Sequence, residues 1–285
     1  HSSGDWAFFR ILRHHPLVLD VPFLCYPDES LNGSIGPRLM DLLDAACPGK
    51  RQGPIVIVSP SPEIREQFLE CLEKRWEGGW VRTFNTLKDA HPFLQRESPG
   101  IIFLDVEEPI SELPCEIPPG YWIVALCTSL ASVLPSEEVR RKYALLRIHR
   151  GLMPIPRIID IGFLLTTSGM GAGIERRIQI LEGTAEFIEK NFSRSISRWQ
   201  LAQQVNVSED YLSRVFKKLI GISPWKYLLR YRILQSEKLL QKGGFTINEV
   251  AESCGFQDQA YFCRVFRAFL GVPPGKYQKQ TFLSS

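Results

Sequence analysis

The chain has 285 residues, 44% hydrophobic and 23% charged, ordinary values for a protein that buries a core and enough length for about two domains. No apolar run approaches the ~18–20 residues of a membrane span. The seven cysteines (25, 47, 71, 115, 127, 254 and 263) include no C-x-x-C pair and leave one over, which argues against a disulfide scaffold and for a reduced, cytoplasmic compartment. The net charge of +3 hides an asymmetry: Glu175 to Ser285 carries 17 basic and 10 acidic residues, net +7, and the rest is net −4. Only the C-terminal part is therefore expected to meet a polyanion.

Residues 1–52 read as an N-terminal extension. His1-Ser-Ser-Gly4 has the composition of a tag remnant or of a cut within a longer chain, and it carries no fold information. Pro16, Pro22 and Pro27 break any helix, while Ile35–Ala46 is compatible with one. His14-His15 lacks further spaced ligands, so no metal is expected.

From Gly53 the periodicity sharpens. Pro54–Val58 is a short β-branched run typical of a buried parallel strand. Ser61–Arg75 follows as an amphipathic helix with Ile64, Phe68, Leu72 and Trp76 on one stripe. Strands are expected at Trp80–Phe84, Gly100–Leu104 ending in Asp105, Tyr121–Cys127 and Tyr143–Ile148. Helices are expected at Leu87–Gln95, Ser136–Arg141 and Ile158–Leu165. Such alternation implies a doubly wound parallel sheet over residues 53–165.

The stretch Ser98-Pro-Gly-Ile-Ile-Phe-Leu-Asp105-Val-Glu-Glu-Pro109 resembles the third strand of a response-regulator receiver domain, a flavodoxin-like fold. That resemblance implies a phosphoacceptor at Asp105. The rest of the receiver pattern departs: Ser59-Pro60 stands where an acidic pair holds Mg²⁺, Cys127 or Thr128 takes the hydroxyl position, and Arg147 aligns with the Lys that ends strand five. Without the acidic pair a hard cation loses two oxygen ligands, and phosphoryl transfer loses its main charge stabiliser. Three readings of Asp105 stand side by side: a phosphorylated switch, a degenerate receiver serving dimerisation or ligand or partner sensing, and an unrelated α/β domain.

Residues 166–173 (Thr-Thr-Ser-Gly-Met-Gly-Ala-Gly) read as a linker, since they lack the Lys-Ser/Thr end of a phosphate loop. Beyond it, Ile174–Lys190 is an amphipathic helix with Ile178, Leu181, Ala185 and Ile188 on one stripe. Ser195–Ser197 caps a helix over Arg198–Gln204, Asn206 makes a turn, and Ser208 caps a second helix over Glu209–Leu219. Ser223-Pro224 opens a long helix running to about Gln241, stopped by Gly243-Gly244. Thr246 or Asn248 caps the next helix to Ser253, Gly255 turns, and Gln257–Leu270 closes the pattern. The two halves repeat: Arg-Val-Phe ends at Phe216 and at Phe266, and Gly221, Pro224, Lys226 and Tyr227 recur fifty positions later at Gly271, Pro274, Lys276 and Tyr277. Each copy has the helix-turn-helix pattern.

Gly255-Phe256, Tyr261-Phe262, Phe266 and Gly271-x-Pro273-Pro274-x-Lys276-Tyr277 resemble the AraC/XylS family of transcription regulators over about Ile174–Gln280, and residues 174–285 are read as that DNA-binding domain. The resemblance implies two helices in adjacent major grooves. By position the first would read bases with Asp210, Ser213 and Arg214, with Glu209 beside them; the second would use Gln259, Ala260, Cys263 and Arg264. Arg can pair bidentately with guanine, Gln with adenine, and Asp can accept from cytosine, while Ala260 and Cys263 suit a thymine methyl. Lys217, Lys218, Lys226, Arg267 and Lys276 suit phosphates. Arg214 and Arg264 have a structural alternative as surface ion pairs, and Lys226 and Lys276 as surface-covering stems. Trp199 and Trp225 are expected in the core.

The chain is thus expected to be α/β followed by all-α, a DNA-binding transcription regulator and not an enzyme, since no nucleophile–base–orienter set appears. The partners implied are double-stranded DNA, a second copy through the N-terminal domain, and RNA polymerase where the protein activates. No cofactor, metal or membrane is implied.

Overall fold

The computed structural model describes residues 53–73, 81–97, 100–106, 116–130, 139, 142–168 and 172–282. The expectations for 1–52, Trp76 and Pro109, and most of the Ser136–Arg141 helix, lie outside the described residues.

Strands β1 (Ile55–Val58), β2 (Val81–Phe84), β3 (Ile101–Val106), β4 (Trp122–Cys127) and β5 (Ala144–His149) form one sheet in the order β2-β1-β3-β4-β5. Every pairing is parallel, with Ile55 opposite both Val81 and Ile101, Ile101 opposite Trp122, and Trp122 opposite Ala144. This is the flavodoxin-like order. Residues of β1, β3 and β4 are buried without alternation, as strands covered on both faces must be. Helices α1 (Pro62–Glu73), α2 (Leu87–Leu94) and α3 (Ile155–Ser168) pack on the sheet. Thr86 and Asp89 close α2 with a reciprocal capping box, and Phe68 of α1 meets Phe103 of β3 with ring centres 5.0 Å apart.

The C-terminal half is helical: α4 (Ala172–Asn191), α5 (Arg198–Gln203), α6 (Glu209–Ile220), α7 (Pro224–Lys242), α8 (Ile247–Ser253), α9 (Gln259–Leu270) and α10 (Pro274–Phe282). Because α3 runs to Ser168 and α4 starts at Ala172, both ends of the expected 166–173 linker are helical. The nineteen residues of α7 span ~28 Å, with α5 and α6 packed against it on one side of the chain and α8, α9 and α10 on the other.

The two halves share a polar seam that the periodicity did not reveal. Helix α4 covers the edge strand β5, and Glu182 accepts the outward backbone N–H of Arg147 at 2.7 Å, which satisfies an exposed sheet edge. The Arg147 guanidinium, 2% exposed, donates to Glu182 at 2.9 Å, to Glu186, and to the Leu130 carbonyl at 2.9 Å. Burial works against its charge, but Glu182 and Glu186 together outweigh that and hold its pKa above the ordinary value. Glu189 accepts from the Leu130 N–H at 2.8 Å and the Ser129 hydroxyl at 3.1 Å. From α7, Arg230 donates to the Leu152 carbonyl at 3.3 Å and Tyr231 meets the His149 ring edge-on at 5.5 Å.

Candidate nucleic-acid interface

Local sequence places the second helix of each helix-turn-helix unit. Ser197 and Gln200 form a capping box on α5, and Ser208 caps α6 by accepting from the Tyr211 N–H. Between them Asn206 adopts φ 54°, the left-handed turn its short amide tolerates. In the second copy Thr246, rather than Asn248, caps α8 through a box with Glu249. Gly255 takes φ +79°, and a Cβ there would fall 2.4 Å from the Phe192 carbonyl oxygen, so both handedness and space require glycine. Helix α9 starts two residues later than the pattern predicts. The reason is Asp258, whose carboxylate accepts from the N–H groups of Ala260 and Tyr261 and makes it the cap.

The inward stripes match the periodicity: Leu212, Val215, Phe216 and Leu219 are buried on α6, and Phe262, Val265 and Phe266 on α9, with Phe269 half-buried. Arg232 of α7 ties the turn after α4 to the central helix by donating to the Phe192 and Arg194 carbonyls at 2.9 and 2.7 Å, where a cation suits the C-terminal end of α4.

The outward faces hold the expected readers. Glu209, Asp210 and Arg214 are exposed and Ser213 half-buried on α6; Gln259, Ala260 and Arg264 are exposed and Cys263 half-buried on α9. Neither Arg214 nor Arg264 forms an ion pair among the described residues; each guanidinium instead stands over a tyrosine ring, as described below. Burial raises the Cys263 thiol pKa, so it presents a neutral, small contact. Lys217, Lys218, Arg267 and Lys276 are exposed and Lys226 is half-buried at the start of α7.

The two tryptophans expected in the core part company. Trp199 is 57% exposed rather than core, because its position near the start of α5 faces away from Leu201 and Ala202, which carry the packing. Trp225 is half-buried and packs against the core as expected, with the Arg198 guanidinium 5.9 Å from its ring. In the sheet domain, Asp105 is buried and accepts from the Ser59 hydroxyl at 2.7 Å and from Arg150 at 3.1 and 3.2 Å. The cation facing Asp105 is thus Arg150 in the turn after β5, not Arg147, which the strand register turns toward Glu182.

Two helix-turn-helix units on one central helix, each with a capped second helix and a polar outward face, define a DNA-binding class of domain. Residues 201–280 match the helix-turn-helix domain family. The chain is 35% identical over 91 residues to the uncharacterised HTH-type transcriptional regulator YpdC of Escherichia coli, covering 32% of each chain. It is 37% identical over 93 residues to the transcriptional regulatory protein HptR of Staphylococcus aureus, covering 33% of this chain and 36% of that one. Among solved structures, the C-terminal domain of AraT, a response regulator from Geobacillus stearothermophilus, is similar at 33% identity over 35% of this chain and 84% of that one, with a TM-score of 0.35. The chain spans about a third of the length of the curated relatives it matches.

Proposed function

We propose that the protein is a sequence-specific transcription regulator whose helices α6 and α9 enter adjacent major grooves on one side of the DNA. The observation that carries this reading is the pair Arg214 and Arg264, exposed at equivalent places on two capped helices that one ~28 Å rod holds apart; successive turns of B-DNA lie ~34 Å apart. Arg214 and Arg264 contact guanine, Gln259 adenine, Asp210 and Glu209 cytosine; Ser213, Ala260 and Cys263 complete the base-facing set. Lys217, Lys218, Lys226, Arg267 and Lys276 contact phosphates. Affinity for a selected site should fall with salt, log K dropping by about 0.9 per phosphate contact per decade; a flat titration counts against the reading. Arg264→Ala should cost ~1–3 kcal/mol and relax one base position in a randomised-site selection.

The sheet domain acts as a regulatory module without phosphorylation, as a surface for self-association or for a ligand or partner, and RNA polymerase is the partner where transcription is activated. The support is the neutralisation of Asp105: its buried carboxylate is already engaged by Ser59 and Arg150. Acetyl phosphate with Mg²⁺ should leave the full chain unlabelled; stoichiometric labelling at Asp105 would establish the two-component alternative.

A further inference from the structure

The two reading helices repeat a contact as well as a sequence. The guanidinium of Arg214 stands 5.6 Å from the ring centre of Tyr211, and that of Arg264 stands 5.9 Å from the ring centre of Tyr261. In each copy the tyrosine lies three residues before the arginine, one helical turn toward the N-terminus, and the pairs are fifty positions apart. Both distances are within cation–π reach. The neighbours match too: in each helix the tyrosine is followed by a buried residue, a half-buried one, the exposed arginine and then two buried residues.

A guanidinium held over a ring by cation–π attraction spends no N–H donor on a hydrogen bond there. Its N–H donors lie in the plane, at the edge, so the fork that pairs with guanine stays free. The direction also fits. A long side chain on a helix leans back over the preceding turn, and the N-terminal turn of a recognition helix is the part that meets base edges. An unrestrained arginine on a surface helix samples many rotamers, and fixing one on binding costs entropy.

We propose that Tyr211 and Tyr261 are positioning residues for base recognition: each ring holds its arginine in a narrow set of rotamers aimed at the groove-facing end of its helix. The inference rests on the DNA-reading role proposed above. In the second copy the ring is itself braced. Tyr261 packs on Phe256 at 6.1 Å, and Phe256 lies under Arg232 of the central helix at 5.7 Å. Two packed rings, Phe256 and Tyr261, thus link the guanidinium of Arg232 on α7 to that of Arg264. Tyr211 is half-buried against the first head's core.

The test uses the full chain and sites selected from random DNA, with Tyr211→Leu, Tyr211→Phe, Tyr261→Leu and Tyr261→Phe beside Arg214→Ala and Arg264→Ala. Each Leu variant should lose about two- to fivefold of the discrimination at the one base position that its arginine variant relaxes, with other positions and the melting temperature unchanged. Each Phe variant, which keeps the ring, should retain wild-type preference. Leu variants with unchanged discrimination overturn the proposal. So does a loss spread evenly over all positions with a lowered melting temperature, which would make the tyrosines structural. So does an even loss in the Phe variants, which would place the hydroxyl on a phosphate. If the wild-type chain selects no sequence, the DNA-reading role itself fails; if only the arginine variants relax a position, the positioning role alone fails.

Discussion

The first and second heads are built from one pattern but sit in different surroundings. Phe216 and Phe266 are both fully buried, and each meets a tyrosine ring edge-on, Tyr227 at 5.9 Å and Tyr277 at 5.6 Å. Beyond that framework they diverge. Leu219 and Ile220 at the end of α6 are buried, whereas their counterparts Phe269 and Leu270 are half-buried. Gly221 lies under the Arg157 guanidinium of α3, while a Cβ at Gly271 would meet nothing within 4 Å. Tyr227 belongs to the central helix itself; Tyr277, on α10, is tied back to it by donating to Glu237 at 2.5 Å and accepting from Gln241 at 2.8 Å. The first head is thus built into the seam with the sheet domain, and the second stands clear of it. Equal sequence at the two heads therefore does not mean equal energetics. Helices α4 and α3 both pack on α6, so a perturbation of the sheet domain is expected to reach the first head before the second.

The comparison breaks most readily at the seam. Glu182→Ala leaves the buried Arg147 without its main partner, and removing one member of a buried ion pair costs about 3–5 kcal/mol. Hydrogen exchange should then show lost protection in α4, β5 and α6, with α9 nearly unchanged; equal loss in both heads would erase the distinction. A smaller effect comes from pH. Burial, with Lys238 nearby, pushes the His149 imidazole down to about 3, against about 6.5 in the unfolded chain. Between these values the unfolded state holds the proton and the folded state does not, so stability falls as pH drops below the unfolded value and is fully present above it. Urea unfolding should lose about 2 kcal/mol between about pH 6.5 and about pH 5 from this residue, a slope that His149→Phe should flatten. The smallest effect sharpens the comparison directly. Gly221 and Gly271 both have left-handed φ, +77° and +74°, so Ala at either should cost about 1–2 kcal/mol. Gly221→Ala must also displace Arg157, 3.1 Å from the new Cβ, and should lower the melting temperature more than Gly271→Ala.

How much of this was legible follows from what each residue depends on. The caps at Ser197, Ser208, Ser223 and Thr246 were readable because a cap's partners lie within three residues. Asp258 obeys the same rule, and its cap sets the start of α9 at Gln259 rather than Gln257. Glu182 and Glu189 left a faint signal, two carboxylates beside the apolar stripe of Ile178, Leu181, Ala185 and Ile188, but nothing local names Arg147 or Leu130 as their partners. The mismatch between Arg147 and Arg150 has the same origin. Which cation faces Asp105 depends on where β5 ends and how its turn folds back, and Arg150 is forty-five positions away along the chain.

The amino-acid order alone determined the strand–helix alternation, the doubled helix-turn-helix and the outward faces of α6 and α9, because periodicity, caps and turns act over a few residues. Only the tertiary structure decided that Asp105 pairs with Arg150, that Trp199 faces solvent, that the acids of α4 clasp the sheet edge, and that one head packs on the sheet domain's seam while the other stands clear of it. Those outcomes depend on which distant groups meet after packing, where burying a charge is tolerable only if its partner arrives in the same place.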